Sequence, residues 1–205
     1  MRYIVVALTA YLLGSIPTGY LVARAKGVDI RSLGSGNIGA TNVFRVLGKP
    51  AGIAVLVFDG LKGFAACAWM SDLIIQFFKV PPDETVYLRL AAALAVILGH
   101  NYTCWLHFKG GKGIATSAGV LAGVVPWSLV IGLAIWIIMC AVTRYVSVGS
   151  LAASVTLPFT TWLTTKNWTL TAVTAAMSAL AIYKHKGNIQ RLLKGTENRL
   201  GSSKK

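Results

Sequence analysis

The stretch GSGNIGATN, residues 34–42, decides between two folds. Gly34, Gly36 and Gly39, with Ala40 following, have the spacing of a dinucleotide-binding fingerprint. Asp59 lies about twenty positions further on, where that motif carries a ribose-binding carboxylate. The fingerprint works only between a buried strand and a helix. Here the preceding VDIRSL is short, charged and weakly alternating, Gly48-Lys49-Pro50 cuts short any helix starting after the glycines, and Asp59 falls inside an apolar run. A nucleotide-binding α/β unit is therefore rejected. A second glycine-rich stretch, KGGKGIATS at 109–117, fails as a P-loop, because Gly113 rather than Ser or Thr comes after Lys112.

Composition supplies the alternative. The chain has 205 residues, of which 55% are hydrophobic and 13% charged, against about 25% charged in soluble domains. Its mean hydropathy is +0.65. One domain covering 1–205 is expected. Lys and Arg number 20 and Asp and Glu 6, a formal charge of +14. In so apolar a chain this excess fits loops facing anionic lipid and anionic substrates, not nucleic acid. Cys67, Cys104 and Cys140 stand alone, with no metal-like spacing to the three histidines, and read as packing residues.

Candidate membrane spans are 3–24, 51–78, 86–107, 113–125, 127–145, 147–164 and 168–184. The first could pass for a signal peptide, with Arg2 ahead of an apolar run and Ala23-Arg24-Ala25 as a cleavage site. Apolar character running on through Val22, and the comparable segments later in the chain, favour a retained helix. The region 113–145 is too long for one span and is divided at Pro126. Charge then orients the chain. Arg24, Lys26, Arg31, Arg45, Lys49, Lys109, Lys112, Arg144 and the tail residues Lys184, Lys186, Arg191, Lys194, Arg199, Lys204 and Lys205 fall on one side; Arg2, Lys79, Arg89 and Lys166 fall on the other. The expectation is an all-α polytopic membrane protein of about seven transmembrane helices, N-terminus outside and C-terminus cytoplasmic.

Losing the nucleotide does not remove the chemistry of the glycine-rich loops. Consecutive glycines can turn several backbone N–H groups inward as an anion nest, and a helix starting just beyond adds its own unpaired amides. Ser35, Asn37, Thr41 and Asn42 offer further donors, Arg45 lies one turn later, and Lys112 adds a charge to the second loop. Either loop alone reads equally well as a tight turn; two basic ones on one surface favour phosphate. A third polar stretch, YKHKGNIQRLLKGTEN at 183–198, combines His185, Asn188, Arg191 and Glu197, more than headgroup anchoring requires. Asp59 and Lys62 share a helical face inside an apolar segment, where charges are functional suspects, as a supporting pair or in catalysis. His100 reads as a helix-end contact, and His107 is a weak candidate.

AYLLGSIPTG, LGSGNIGATNVFRVLGK, VFDGLKG, LGHNY, FKGGKGIATS, RYVSVGSLAAS and YKHKGNIQRLLKGTE, in this order and spacing, resemble the bacterial PlsY family of acyl-phosphate:glycerol-3-phosphate acyltransferases over nearly the whole chain. The resemblance implies seven helices with an external N-terminus in the bacterial inner membrane. It implies transfer of a fatty acyl group from acyl phosphate to the 1-hydroxyl of glycerol 3-phosphate, giving lysophosphatidate, the first acylation of phospholipid synthesis, without cofactor, metal or acyl-CoA. The lipid bilayer and the enzyme that makes acyl phosphate are the further partners expected.

Carried across, Ser35, Arg45, Lys112, His185 and Asn188 are the catalytic candidates. Gly34, Gly36, Asn37, Thr41, Asn42, Gly110, Gly111, Gly113 and Ser150 are the phosphate-binding ones, with Asp59, Lys62, Arg191 and Glu197 in support. Trp105-Leu106-His107 departs from the family pattern and sets His107 aside. The His, four residues, Asp motif of acyltransferases using soluble donors is absent: Trp105, Lys112 and Gln190 stand where Asp would be. A phosphate or organophosphate transporter is the reading from another class; the scarcity of midmembrane charge beyond Asp59 and Lys62 disfavours it.

Overall fold

In the computed structural model residues 1–201 are described; Lys204 and Lys205 of the basic tail lie outside them. Among the described residues the chain is helical throughout, with no strand. It divides into two compact units, Met1–Val124 and the residues from Val125 onward.

The first unit holds α1 (Arg2–Ser15), α2 (Thr18–Arg24), α3 (Ala40–Leu47), α4 (Lys49–Ala65), α5 (Ser71–Phe77), α6 (Pro82–Asn101) and α7 (Ile114–Val124). The second holds α8 (Pro126–Thr143), α9 (Val146–Thr165), α10 (Trp168–Lys184) and α11 (Lys186–Leu193). Among the described residues four stretches are long and apolar enough to cross a bilayer: Arg2–Arg24, Lys49–Phe77, Pro126–Thr143 and Val146–Thr165; α7 is a shorter apolar helix. The division proposed at Pro126 coincides with a helix start, with Pro in the first turn, where its missing N–H is harmless.

Two departures from the expected spans matter for function. The segment 86–107 is helical only to Asn101, after which a short 3-10 turn, Cys104–Leu106, leads into the glycine-rich loop. The first span is broken at Ile16–Pro17, because Pro17 has no N–H to continue the ladder. The carbonyls freed there find other partners: Ser15 O accepts from the Thr103 hydroxyl, and Ile16 O from the Thr18 amide at 3.0 Å and the Lys62 ammonium at 2.9 Å. Freed backbone groups at membrane depth need such partners. Nearer the other end of the second span, a π-helical turn at Ala66–Met70 is held similarly, with Cys67 O accepting from Arg89 and Ala66 O from Ser71.

Packing within the first unit depends on small residues, as expected where lipid supplies no hydrophobic drive between helices. A Cβ on Gly14 would collide with the Val96 backbone, and one on Gly99 with Tyr11, so α1 and α6 meet backbone to backbone. Gly63 and Gly119 bring α4 and α7 equally close. Gly52 of α4 lies against Phe44 of α3, which stations α3 on the early turns of α4.

Candidate functional site

The first glycine-rich loop is shaped by one buried side chain. The carboxamide oxygen of Asn42 accepts the Ser35 amide at 2.8 Å, and its Nδ2 donates to the carbonyls of Asn37 (2.9 Å), Leu33 (3.0 Å) and Ile30 (3.4 Å). Asn37 Oδ1 accepts the Gly39 amide at 2.8 Å, closing a turn just ahead of α3. Gly34 and Gly36 have φ of +60° and +70°, the left-handed region that other residues enter at a cost. Asn42, and Asn37 through its oxygen, thus hold the loop itself. Ser35, Thr41 and Arg45 are exposed, and their side chains make no hydrogen bond or ion pair with other described residues. Thr41 and Arg45 are four apart on α3 and share a face. The first amides of α3 have no carbonyl within the helix to bond.

The second loop is held from outside itself. The amides of Gly110 and Gly111 donate to the carbonyls of Asn101 (3.2 Å) and His100 (3.0 Å), the last residues of α6. Gly113 has φ +81° and leads into α7, while Lys112 is half-buried. α3, which follows the first loop, and His100, which supports the second, both meet α4. Gly52, which meets α3, and Asp59, which meets His100, are separated by about 10 Å along its axis at 1.5 Å per residue.

Asp59 and Lys62 are 2% and 6% exposed, and Lys62 Nζ is 2.8 Å from Asp59 Oδ1. His100, 5% exposed, places Nδ1 3.6 Å from the same oxygen. The sequence suggested Asp59 and Lys62 as a pair; that His100 joins them shows only in the fold.

In the second unit Glu197 is the hub. Its Oε1 accepts from Asn188 Nδ2 (2.7 Å) and the Ser147 hydroxyl (3.1 Å), and its Oε2 from Arg191 Nε (2.7 Å). The segment that delivers Glu197 is fastened where Leu200 N donates to Arg144 O at 2.7 Å and Arg199 Nε to the Tyr145 hydroxyl at 2.9 Å. His185 is 3% exposed, and its Nδ1 donates to Ala181 O at 2.7 Å. The Ser150 hydroxyl donates to Val146 O and accepts from Trp136 Nε1 at 3.2 Å. Sequence reasoning named Asn188, Arg191 and Glu197 but missed Ser147, Tyr145 and Arg199; Tyr145 and Ser147 flank Val146 inside the quoted RYVSVGS and carried no separate signal. Among the described residues no group of three His, Cys, Asp or Glu could hold a metal ion.

Membrane-length helices, polar loops and buried ionic groups define a helical integral membrane protein. A family profile described as glycerol-3-phosphate acyltransferase matches residues 4–195. The glycerol-3-phosphate acyltransferases of Geotalea daltonii and Geobacter sulfurreducens are 47% and 46% identical, covering 95% and 97% of this chain and 96% and 98% of their own. A crystal structure of PlsY (YgiH), an integral membrane glycerol 3-phosphate acyltransferase, in its glycerol 3-phosphate form, superposes with a TM-score of 0.88 at 36% identity, covering 98% of this chain and 96% of that one. The lysophosphatidic acid form gives 0.85 with the same coverage. The chain belongs to the glycerol-3-phosphate acyltransferase family and is an integral membrane acyltransferase.

Proposed function

We propose that this protein transfers a fatty acyl group from acyl phosphate to the 1-hydroxyl of glycerol 3-phosphate, giving lysophosphatidate and inorganic phosphate at the cytoplasmic face of the bacterial inner membrane. The observation that carries this reading is the first loop: an N-terminal helix turn with exposed Ser35, Thr41 and Arg45, whose side chains bond no other described residue. The relative solved in a glycerol 3-phosphate form and a lysophosphatidic acid form supports the acceptor and the product. The charge asymmetry of the loops supports an external N-terminus and a cytoplasmic site.

Acyl phosphate is already activated, so no covalent enzyme intermediate is needed. The 1-hydroxyl oxygen attacks the acyl carbon and forms the ester. The bond from that carbon to the phosphate oxygen breaks, and the hydroxyl proton ends on a substrate phosphate oxygen. The first amides of α3, with Arg45 and Lys112, hold phosphate and stabilise developing charge, while Asn37 and Asn42 shape the first loop and the Gly110 and Gly111 amides, bonded to the end of α6, shape the second. In the second unit Ser150, Asn188 and His185 are the proposed polar ligands, His185 not serving as the base. The acyl chain lies between helices, open to the bilayer, and the enzyme that makes acyl phosphate is the natural partner. Arg45→Ala and Lys112→Ala should each lower kcat/KM by about 100-fold, the scale of one lost charge-stabilising donor, with normal membrane insertion. Wild-type turnover in both variants would remove the clamp.

A further inference from the structure

The second loop differs from the first in that its support is a buried ionic cluster within the membrane segments. His100 touches the loop in two ways. Its carbonyl accepts the Gly111 amide at 3.0 Å, and its ring lies so close to Gly111 that a methyl group there would collide with Nε2. On the other side of the ring, Nδ1 faces Asp59 Oδ1 at 3.6 Å. Asp59 is in turn held by Lys62, whose ammonium also donates to Ile16 O at the break between α1 and α2. One chain of contacts therefore runs from the α1–α2 break, through α4 and the end of α6, to the loop before α7.

A buried ion pair is weak as a stabilising device, because desolvation of both charges offsets most of their attraction. Charges at membrane depth are costlier still. Packing alone could have been achieved with apolar side chains. What apolar residues could not do is fix the orientation of an imidazole that presses on a glycine. We infer that Asp59, Lys62 and His100 are positioning residues, a buried relay that sets the shape of the glycine-rich loop 110–113 and hence its affinity for the phosphate it holds. The inference rests on the phosphate-binding role proposed above for that loop.

Four variants test it, each with two readouts. The first readout is KM for glycerol 3-phosphate and for acyl phosphate beside kcat. The second is hydrogen exchange of the backbone amides of 108–114, with 34–39 as the internal reference. Asp59→Leu with Lys62→Met removes both charges together, a replacement that buried pairs commonly tolerate, while Ile16 O, which loses the Lys62 ammonium, keeps the Thr18 amide at 3.0 Å. The relay predicts that this double variant raises KM for one phosphate substrate by about tenfold with kcat little changed, and speeds exchange of 108–114 alone by a similar factor, as when a backbone hydrogen bond is weakened. Unchanged KM values and exchange would make the pair merely structural and overturn the inference.

Gly111→Ala should impair the same KM, because the new methyl group meets the imidazole. Combining it with His100→Asn, which keeps a side-chain nitrogen near the position of Nδ1 but removes the far side of the ring, should restore KM to within about threefold of the His100→Asn variant alone, a non-additive coupling. Strictly additive losses would mean that the ring does not set the loop. If the wild-type protein transfers no acyl group, the proposed function fails, while the exchange data still decide the relay.

Discussion

The two glycine-rich loops look alike in sequence and are built by opposite means. GSGNIGATN is stitched by a residue at its own end: Asn42 reaches back to Ser35, Asn37, Leu33 and Ile30. KGGKG has no such residue. Its shape comes from His100 and Asn101 at the end of α6, and behind His100 from Asp59 and Lys62 of α4. A locally stitched loop can keep its form while its surroundings move, whereas a remotely stitched one depends on how the helices are packed. The same ligand chemistry is thus supported once by sequence neighbours and once by tertiary structure.

Breaking the local stitch should have the largest effect. Asn42→Ala deletes four hydrogen bonds and leaves three carbonyls and an amide without that partner, a loss on the order of 3 kcal/mol. It should lower the melting temperature in detergent and abolish transfer, while exchange at 108–114 stays as in the wild type. Loss of protection in both loops together would erase the contrast between them. Gly36→Ala is next: with φ +70°, a methyl group there would also crowd the Arg31 carbonyl, for a cost of about 1–2 kcal/mol in stability by chemical denaturation. Asn37→Ala removes the single bond to the Gly39 amide and should cost about 1 kcal/mol, visible as faster exchange at Gly39.

The smallest effect concerns the approach to the first loop. Asp29 caps the turn Ile30–Ser32, and its carboxyl is held below its ordinary 3.8, at about 2, by the Arg31 side chain first and the Arg31 amide second. A depressed carboxyl pKa contributes stability that is complete above the ordinary range and is lost as pH falls through about 2. The group is exposed, so its contribution is small. The Asp29 carboxyl resonance should titrate near pH 2 in the wild type and higher in Arg31→Ala, though still below its ordinary value, because the amide at position 31 remains.

This contrast also explains what was legible in the sequence. The helical membrane fold follows from hydropathy, and the helix start at Pro126 from the missing proline N–H. The asparagines of the first loop were visible because they lie inside the motif, although they proved to be its scaffold. Asp59 and Lys62 were conspicuous as charges in an apolar run, but their link to His100 is set by helix packing, which no local pattern encodes. The end of α6 at Asn101 was missed for the same reason: Tyr102 through His107 remain apolar and aromatic enough to read as membrane, yet the backbone there turns to carry the second loop. Glu197 was identified, whereas the fastening of its segment by Leu200 on Arg144 and Arg199 on Tyr145 depends on chain return.

Product formation by the purified wild-type protein in lipid tests the central claim most directly. Given glycerol 3-phosphate, it should form lysophosphatidate and release one phosphate per ester when the donor is acyl phosphate, and form none when the donor is acyl-CoA. Product from acyl-CoA alone, or none from acyl phosphate, would contradict the account.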